Sequence, residues 1–220
     1  MISALSTESG RAWSNVTLPR RILILFAHPA LRKSRINRRL LLAAESVAGI
    51  TVRDLYGEYP DFMIDVQREH ELQEAHEVIL YQHPFYWYSC PAILKEWQDL
   101  VLEHKFAYGE KGRALEGKWQ ASVLSTGGPD EAYRVEGHNR FTFRQLLAPC
   151  EQTARLCRMV WLPPFLVQGS FSRDDAGLYR RAADYVKTLE ILRDGTVPLA
   201  TLRELERLNH CINSAIGGAV

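Results

Sequence analysis

Five short apolar runs, at residues 22–26, 50–56, 77–83, 119–126 and 160–170, alternate with segments whose apolar residues recur at helical spacing, and this alternation limits the fold more than any other feature. Ile22 to Phe26 form a continuous apolar run, which suits a strand buried on both faces. Residues 35–48 read as a helix, with Ile36, Leu40, Ala43, Ala44 and Val47 on one face and Gly49 at its end. Residues 50–56 alternate as a second strand, 67–76 read as an exposed helix, and 77–83 as a third strand closed by Pro84. A helix with Pro91 in its first turn extends to His104, its apolar side made by Ile93, Leu94, Trp97, Leu100 and Val101. The fourth strand, WQASVLST, stops at Gly127-Gly128. One or two helices broken near Pro149 cover 142–158, VWLPPFLVQGS supplies the fifth strand, and Asp174 caps a helix aligning Leu178, Ala182, Val186 and Leu189.

Parallel strands need crossover connections, so this alternation predicts an α/β fold: a doubly wound, five-stranded parallel sheet with helices on both faces. The expected organisation is a flexible extension over 1–19, one domain over 20–195 and a helical tail over 196–220. In that tail Leu202, Leu205, Leu208, Ile212 and Ile216 fall at helical spacing before a mobile Gly217-Gly218 end, which predicts a docked terminal helix, with a partner-binding helix as the alternative.

Charge and cysteine usage narrow the function classes. Twenty-seven basic residues oppose 26 acidic ones, a net charge of +1 that argues against general nucleic-acid binding. No apolar run is long enough to span a bilayer, and MISALSTESGRAWSN lacks the basic start and apolar stretch of a secretory signal, so a cytoplasmic protein is expected. Cys90, Cys150, Cys157 and Cys211 show no metal-ligand grouping, which predicts reduced thiols with neither zinc nor disulfides.

In doubly wound sheets ligands bind beyond the carboxyl ends of the strands, which points to the loops after strands one, three and four. Loop one, AHPALRKSRIN, offers His28, Ser34 and Asn37 beside a helix N-terminus, a combination that suits a phosphate. It carries neither a dinucleotide-binding glycine fingerprint nor a P-loop. Five of the eight residues from Arg32 to Arg39 are basic, most simply a solvated helix face. Loop three, HPFYWYSCPAIL, brings Phe85, Tyr86, Trp87 and Tyr88 to a sheet end where polar residues are usual, and so suggests a wall for a flat ring. Loop four, STGGPDEAYRVEGHN, pairs Gly127 and Gly128, which let backbone approach a ligand, with Tyr133 and His138 close behind. A helix cap, an aromatic core cluster and a tight turn would account for these loops one at a time; their convergence carries the argument.

These three segments, in this order, resemble the flavodoxin-like NAD(P)H:quinone oxidoreductases over roughly residues 20–190. YPDFMID, the QHPFYWYSCPAILKEW run, FAYGEKGRALEGKW and CRMVWLPPF are similar to ancillary subunits of glutathione-regulated potassium-efflux systems. The resemblance implies a flavodoxin-like strand order 2-1-3-4-5, bound FMN with FAD as the alternative, NAD(P)H as co-substrate and a quinone as acceptor. It also implies a homodimer with its site at the subunit interface and attachment to the cytoplasmic side of an efflux transporter. By the same resemblance His28, Ser34 and Asn37, with Arg35 through its backbone, hold the flavin phosphate and ribityl chain. Pro84, Phe85, Tyr86 and Trp87 lie under the ring, and Thr126, Gly127 and Gly128 run along its pyrimidine edge. Tyr133 and His138 face the substrate, one residue closer together than in animal quinone reductases. Histidine suits proton donation to a quinone oxygen because its unperturbed pKa lies near neutrality. The implied reaction is a two-electron ping-pong hydride transfer. A regulatory subunit with little catalysis is the competing reading, and a flavodoxin-type electron carrier ranks last.

Overall fold

A computed structural model describes residues 18–170 and 174–217 of the chain. Most of the expected N-terminal extension, and the end from Gly218 onward, lie outside the described residues. The sheet is parallel in the order β2-β1-β3-β4-β5, from β1 (Ile22–Phe26), β2 (Ile50–Asp54), β3 (Val78–Pro84), β4 (Trp119–Ser125) and β5 (Val160–Trp161). A further short strand, β6 (Phe165–Val167), pairs parallel with β4 beyond β5. The predicted fifth strand is thus two pieces. Pro163 and Pro164 fall between them, and proline has no N–H to give to a ladder.

Every residue of β1 is fully buried, and its side chains divide between two cores with the period of two that a strand imposes. Ile22, Ile24 and Phe26 join a cluster with Leu40 and Ala44 of α1 (Arg35–Glu45) and Leu178, Tyr185 and Leu189 of the helix Asp175–Asp194. On the other face Leu23 and Leu25 pack with Ile93, Leu94, Trp97 and Val101 of the helix Ala92–Val101. Numbered in chain order, α2 is Leu55–Glu58, α3 Val66–Ala75, α4 Ala92–Val101, α5 Phe143–Leu146, α6 Ala148–Leu156 and α7 Asp175–Asp194. Asp174 caps α7 as expected, its side chain accepting the Gly177 N–H.

Several boundaries differ from expectation for visible reasons. The second strand ends at Asp54, opposite Phe26, where β1 itself ends and offers no further ladder; Leu55 then turns into α2 with its side chain buried. Pro91 caps α4 from outside rather than occupying its first turn, and α4 stops at Val101. The break in the 142–158 region falls at Leu147, and Pro149 sits in the first turn of α6, where its missing N–H costs nothing. Helix α3 is not simply exposed, because Glu69 and Gln73 are buried.

The tail docks, but not as one helix. It forms α8 (Leu199–Glu204), a 3-10 turn at Leu208–His210 and α9 (Cys211–Gly217), with Leu202, Leu208 and Cys211 buried in the same core as α1 and α7. Between the helices the chain is extended at Leu205 and Arg207, and it runs beside β6: Asn209 accepts the Leu166 N–H at 2.8 Å and donates to the Leu166 carbonyl at 3.0 Å. Among the described residues no helix is long and apolar enough to cross a membrane.

Candidate functional site

The parallel register brings the carboxyl ends of β1, β3 and β4 to one edge of the sheet, so the three loops that follow them meet there. In loop one His28 is buried and its Nδ1 accepts the Ala30 N–H at 3.1 Å. Burial lowers its pKa, so the ring is neutral with its proton on Nε2. Ser34 caps α1, accepting the Asn37 backbone N–H at 3.2 Å and the Asn37 amide at 3.1 Å. The same Asn37 amide nitrogen donates to Ser125 Oγ at 2.8 Å, which ties loop one to the end of β4. Asn37 Oδ1 is buried without a partner, an acceptor left for a ligand hydroxyl. Arg35 pairs through its side chain with Asp175 at 2.9 Å, and it is the first residue of α1.

Loop three leaves β3 at Pro84, which pairs with Ser125, and the Phe85 N–H donates to the Ser125 carbonyl at 2.9 Å. Phe85 is buried, whereas Tyr86, Trp87 and Tyr88 are exposed, Trp87 to 92%. Trp87 and Tyr88 both have left-handed backbone, with φ of 52° and 60°. Two consecutive bulky residues in that region store strain that the surroundings must impose. Loop three touches loop one edge-on through His28 and Tyr86, with ring centroids 6.1 Å apart, and touches loop four through a Tyr88 hydroxyl donating to Asn139 Oδ1 at 3.1 Å.

In loop four Thr126 is buried and donates to the Gly128 carbonyl at 2.9 Å, leaving Gly127 exposed and Gly128 half-buried beside the Tyr133 ring. A 3-10 turn, Asp130–Tyr133, then delivers Tyr133, whose ring stacks on Phe143 at 4.1 Å. Burial raises the Tyr133 pKa, so the hydroxyl stays protonated and available as a donor. His138 is exposed. It shares with Tyr88, Gly128, Tyr133 and Asn139 an open depression of about 760 Å³. The site residues expected from the sequence therefore fall on three touching loops and their flanks, with Arg35 and Asn37 in the first turn of α1, Pro84 at the end of β3, and Tyr133 and His138 on one depression.

Four further residues build the site. Ser125 and Asn139 are the partners that join the loops, and Phe143 is the platform for Tyr133; none carries a local signal, because each acts through a residue distant in the chain. Gly137 is the fourth: a Cβ there would lie 2.2 Å from the Glu131 carbonyl oxygen and 2.9 Å from that of Ala132. Gly137→Ala is therefore expected to destabilise the chain by about 1–3 kcal/mol, the range for forcing atoms into packed space. Urea unfolding checks this, and parent-like stability would mean that the Tyr133 to His138 segment shifts without penalty.

The donor set has a consistent chemical reading. The α1 N-terminus with Ser34 suits a phosphate, the orphaned Asn37 oxygen suits a polyol, and the aromatic loop suits a planar ring. Residues 20–189 match the model of a family described as having a flavodoxin-like fold. A glutathione-regulated potassium-efflux system ancillary protein KefG from Pectobacterium carotovorum is 52% identical over 149 residues, covering 68% of this chain and 81% of its own. General stress protein 14 from Treponema denticola, solved in complex with FMN, is 36% identical with a TM-score of 0.74, covering 78% of this chain and 99% of that one. An NADPH-quinone reductase from P. pentosaceus is 32% identical with a TM-score of 0.70, covering 76% and 96% respectively.

Proposed function

The chain belongs to the flavodoxin-like family, and from that premise we propose that it is an FMN-dependent NAD(P)H:quinone oxidoreductase acting as the ancillary protein of a potassium-efflux system. The observation that carries this reading is the joining of loops one, three and four by Asn37 to Ser125, His28 to Tyr86 and Tyr88 to Asn139. General stress protein 14 is solved with FMN, and the FAD alternative gains no support from it. FMN held there would supply the redox chemistry that couples NAD(P)H oxidation to two-electron reduction of a quinone.

The chain's own residues bind, orient and donate. His28, Ser34 and Asn37, with the backbone at Arg35, would hold the phosphate and polyol. Pro84, Phe85, Tyr86 and Trp87 would support the ring, and Thr126, Gly127 and Gly128 its pyrimidine edge, where backbone amides favour developing negative charge. Tyr133 and His138 would give hydrogen bonds or protons to the quinone oxygens. A homodimer with the exposed aromatic loop at its interface, and a peripheral place on the cytoplasmic side of the transporter, complete the proposal.

A regulatory subunit that docks on the transporter with little catalysis is the second reading, favoured by the ancillary-protein relatives. One experiment separates the two. The FMN-loaded protein, mixed anaerobically with NADPH and then with a quinone, is expected to lose its flavin absorbance and regain it. Flavin bound but never bleached would leave the regulatory reading, and failure to bind flavin would end the quinone-reductase one.

A further inference from the structure

The segment Leu205–Arg207 lies past residue 189, where the family match ends, yet it reaches the loop that carries Tyr133 and His138. Arg207 is only 16% exposed at its side chain, and its Nη1 lies 2.9 Å from Asp130 Oδ1 and 3.1 Å from Gln168 Oε1. Gln168 in turn donates to Asp130 Oδ1 at 2.7 Å, and Arg134 pairs with Asp130 Oδ2 at 3.0 Å. Asp130 opens the 3-10 turn that ends in Tyr133. Glu206 also pairs with Arg207, at 2.6 Å, and so holds the guanidinium from the solvent side. Desolvation pushes the Asp130 pKa up, but the hydrogen bonds from Gln168, Arg134 and Arg207 outweigh it and bring the pKa down to about 2, so the carboxylate is ionised at neutral pH.

The tail is seated well enough to act as an anchor. Leu202 and Leu208 are buried, the Leu208 N–H donates to the Pro164 carbonyl at 2.9 Å, and Asn209 makes two hydrogen bonds to the Leu166 backbone. Between this anchor and loop four lies a cavity of about 470 Å³, with Tyr133, Phe143 and Trp161 on one side and Leu205 and Arg207 on the other. Charge-assisted, partly buried hydrogen bonds of this kind are stronger than surface ion pairs, so the contact can hold a turn in place.

We infer that Arg207 is a positioning residue: through Asp130 it fixes the turn bearing Tyr133, and the C-terminal tail is thereby a built part of the substrate-facing side of the site. The inference deepens the quinone-reductase reading and rests on it for the meaning of the turn, but not for the clamp itself. In Arg207→Gln the FMN-loaded protein is expected to show roughly tenfold or greater loss in kcat/KM for quinone, since small misplacements near reacting groups have effects of that size. Its flavin content should match the parent. Arg207→Lys should recover most of the loss, Asp130→Asn should reproduce it, and the double variant should be no worse than Asp130→Asn, as expected for one shared contact.

Hydrogen exchange supplies a readout independent of turnover. Amides of residues 130–139 should exchange faster in Arg207→Gln, while those of α8 stay as in the parent. That result supports the clamp even if the parent shows no quinone turnover, in which case only the functional reading fails. Parent-like exchange at 130–139 would overturn it, and so would loosening spread over the whole chain, which would make Arg207 a residue of general stability.

Discussion

Replacing Glu69 with alanine is expected to lower folding stability by about 3–5 kcal/mol, the range for breaking a buried charge pair from one side. The Glu69 side chain has no exposed surface and both of its oxygens are used. Oε1 accepts from Arg53 Nε at 2.8 Å and from the Tyr59 hydroxyl at 2.8 Å, and Oε2 accepts from Trp97 Nε1 at 2.9 Å. Truncation would leave the Trp97 N–H buried with no acceptor, and would leave Arg53 with the exposed Glu58 and Tyr59 alone. Each abandoned donor costs about 1–3 kcal/mol. In a chain of this size such a loss should lower Tm by roughly 10 °C. Because Trp97 stands on α4, directly after the aromatic loop, the effect should reach the site as weaker flavin retention. Urea unfolding of Glu69→Ala and the isosteric Glu69→Gln measures it; a loss below about 1 kcal/mol for alanine would show that the network does not couple β2, α3 and α4.

The same residue shows what was legible in the chain and what was not. QREHELQEAH reads as an exposed helix because its pattern is polar, and the partners that make Glu69 a core residue lie on β2, the following loop and α4. By contrast, the parallel sheet follows from local signals, its strand order being what the family resemblance implied: continuous apolar runs such as Ile22–Phe26 can be satisfied only by burial on two faces, and the helical spacing between them demands crossovers. The site loops were legible for the same reason, since a parallel sheet sends the ends of its strands to one edge. The contacts that join them were not. Asn37 finds Ser125 and Arg207 finds Asp130 only once the chain is folded, and no periodicity encodes such pairs. The tail illustrates both cases: the spacing of its leucines foretold docking, but the extended stretch at Leu205 and Arg207 is set by β6, where Asn209 takes up the Leu166 backbone.

The double variant Tyr133→Phe, His138→Gln should lower quinone turnover by roughly 100-fold to 10,000-fold, the contribution typical of general acid catalysis. The substitutions are chosen to spare the architecture. Phenylalanine keeps the stack on Phe143 and removes only a hydroxyl that burial holds protonated; His138 is exposed, so glutamine there disturbs no core. Tyr133 adjoins Thr126 and Gly128, but the phosphate and polyol groups of His28, Ser34 and Asn37 are not replaced, so flavin should still bind and bleaching by NADPH should survive. The deficit should appear in the return of absorbance on adding quinone, where a donor to the acceptor oxygen is needed. Of the two single variants Tyr133→Phe should lose more, because its hydroxyl is half-buried while solvent can stand in for the exposed His138. Stopped-flow absorbance on each half-reaction separates these effects: slowed reoxidation with intact reduction assigns the pair to quinone, slowed reduction alone assigns it to the nicotinamide step, and unchanged rates in both remove the pair from the mechanism.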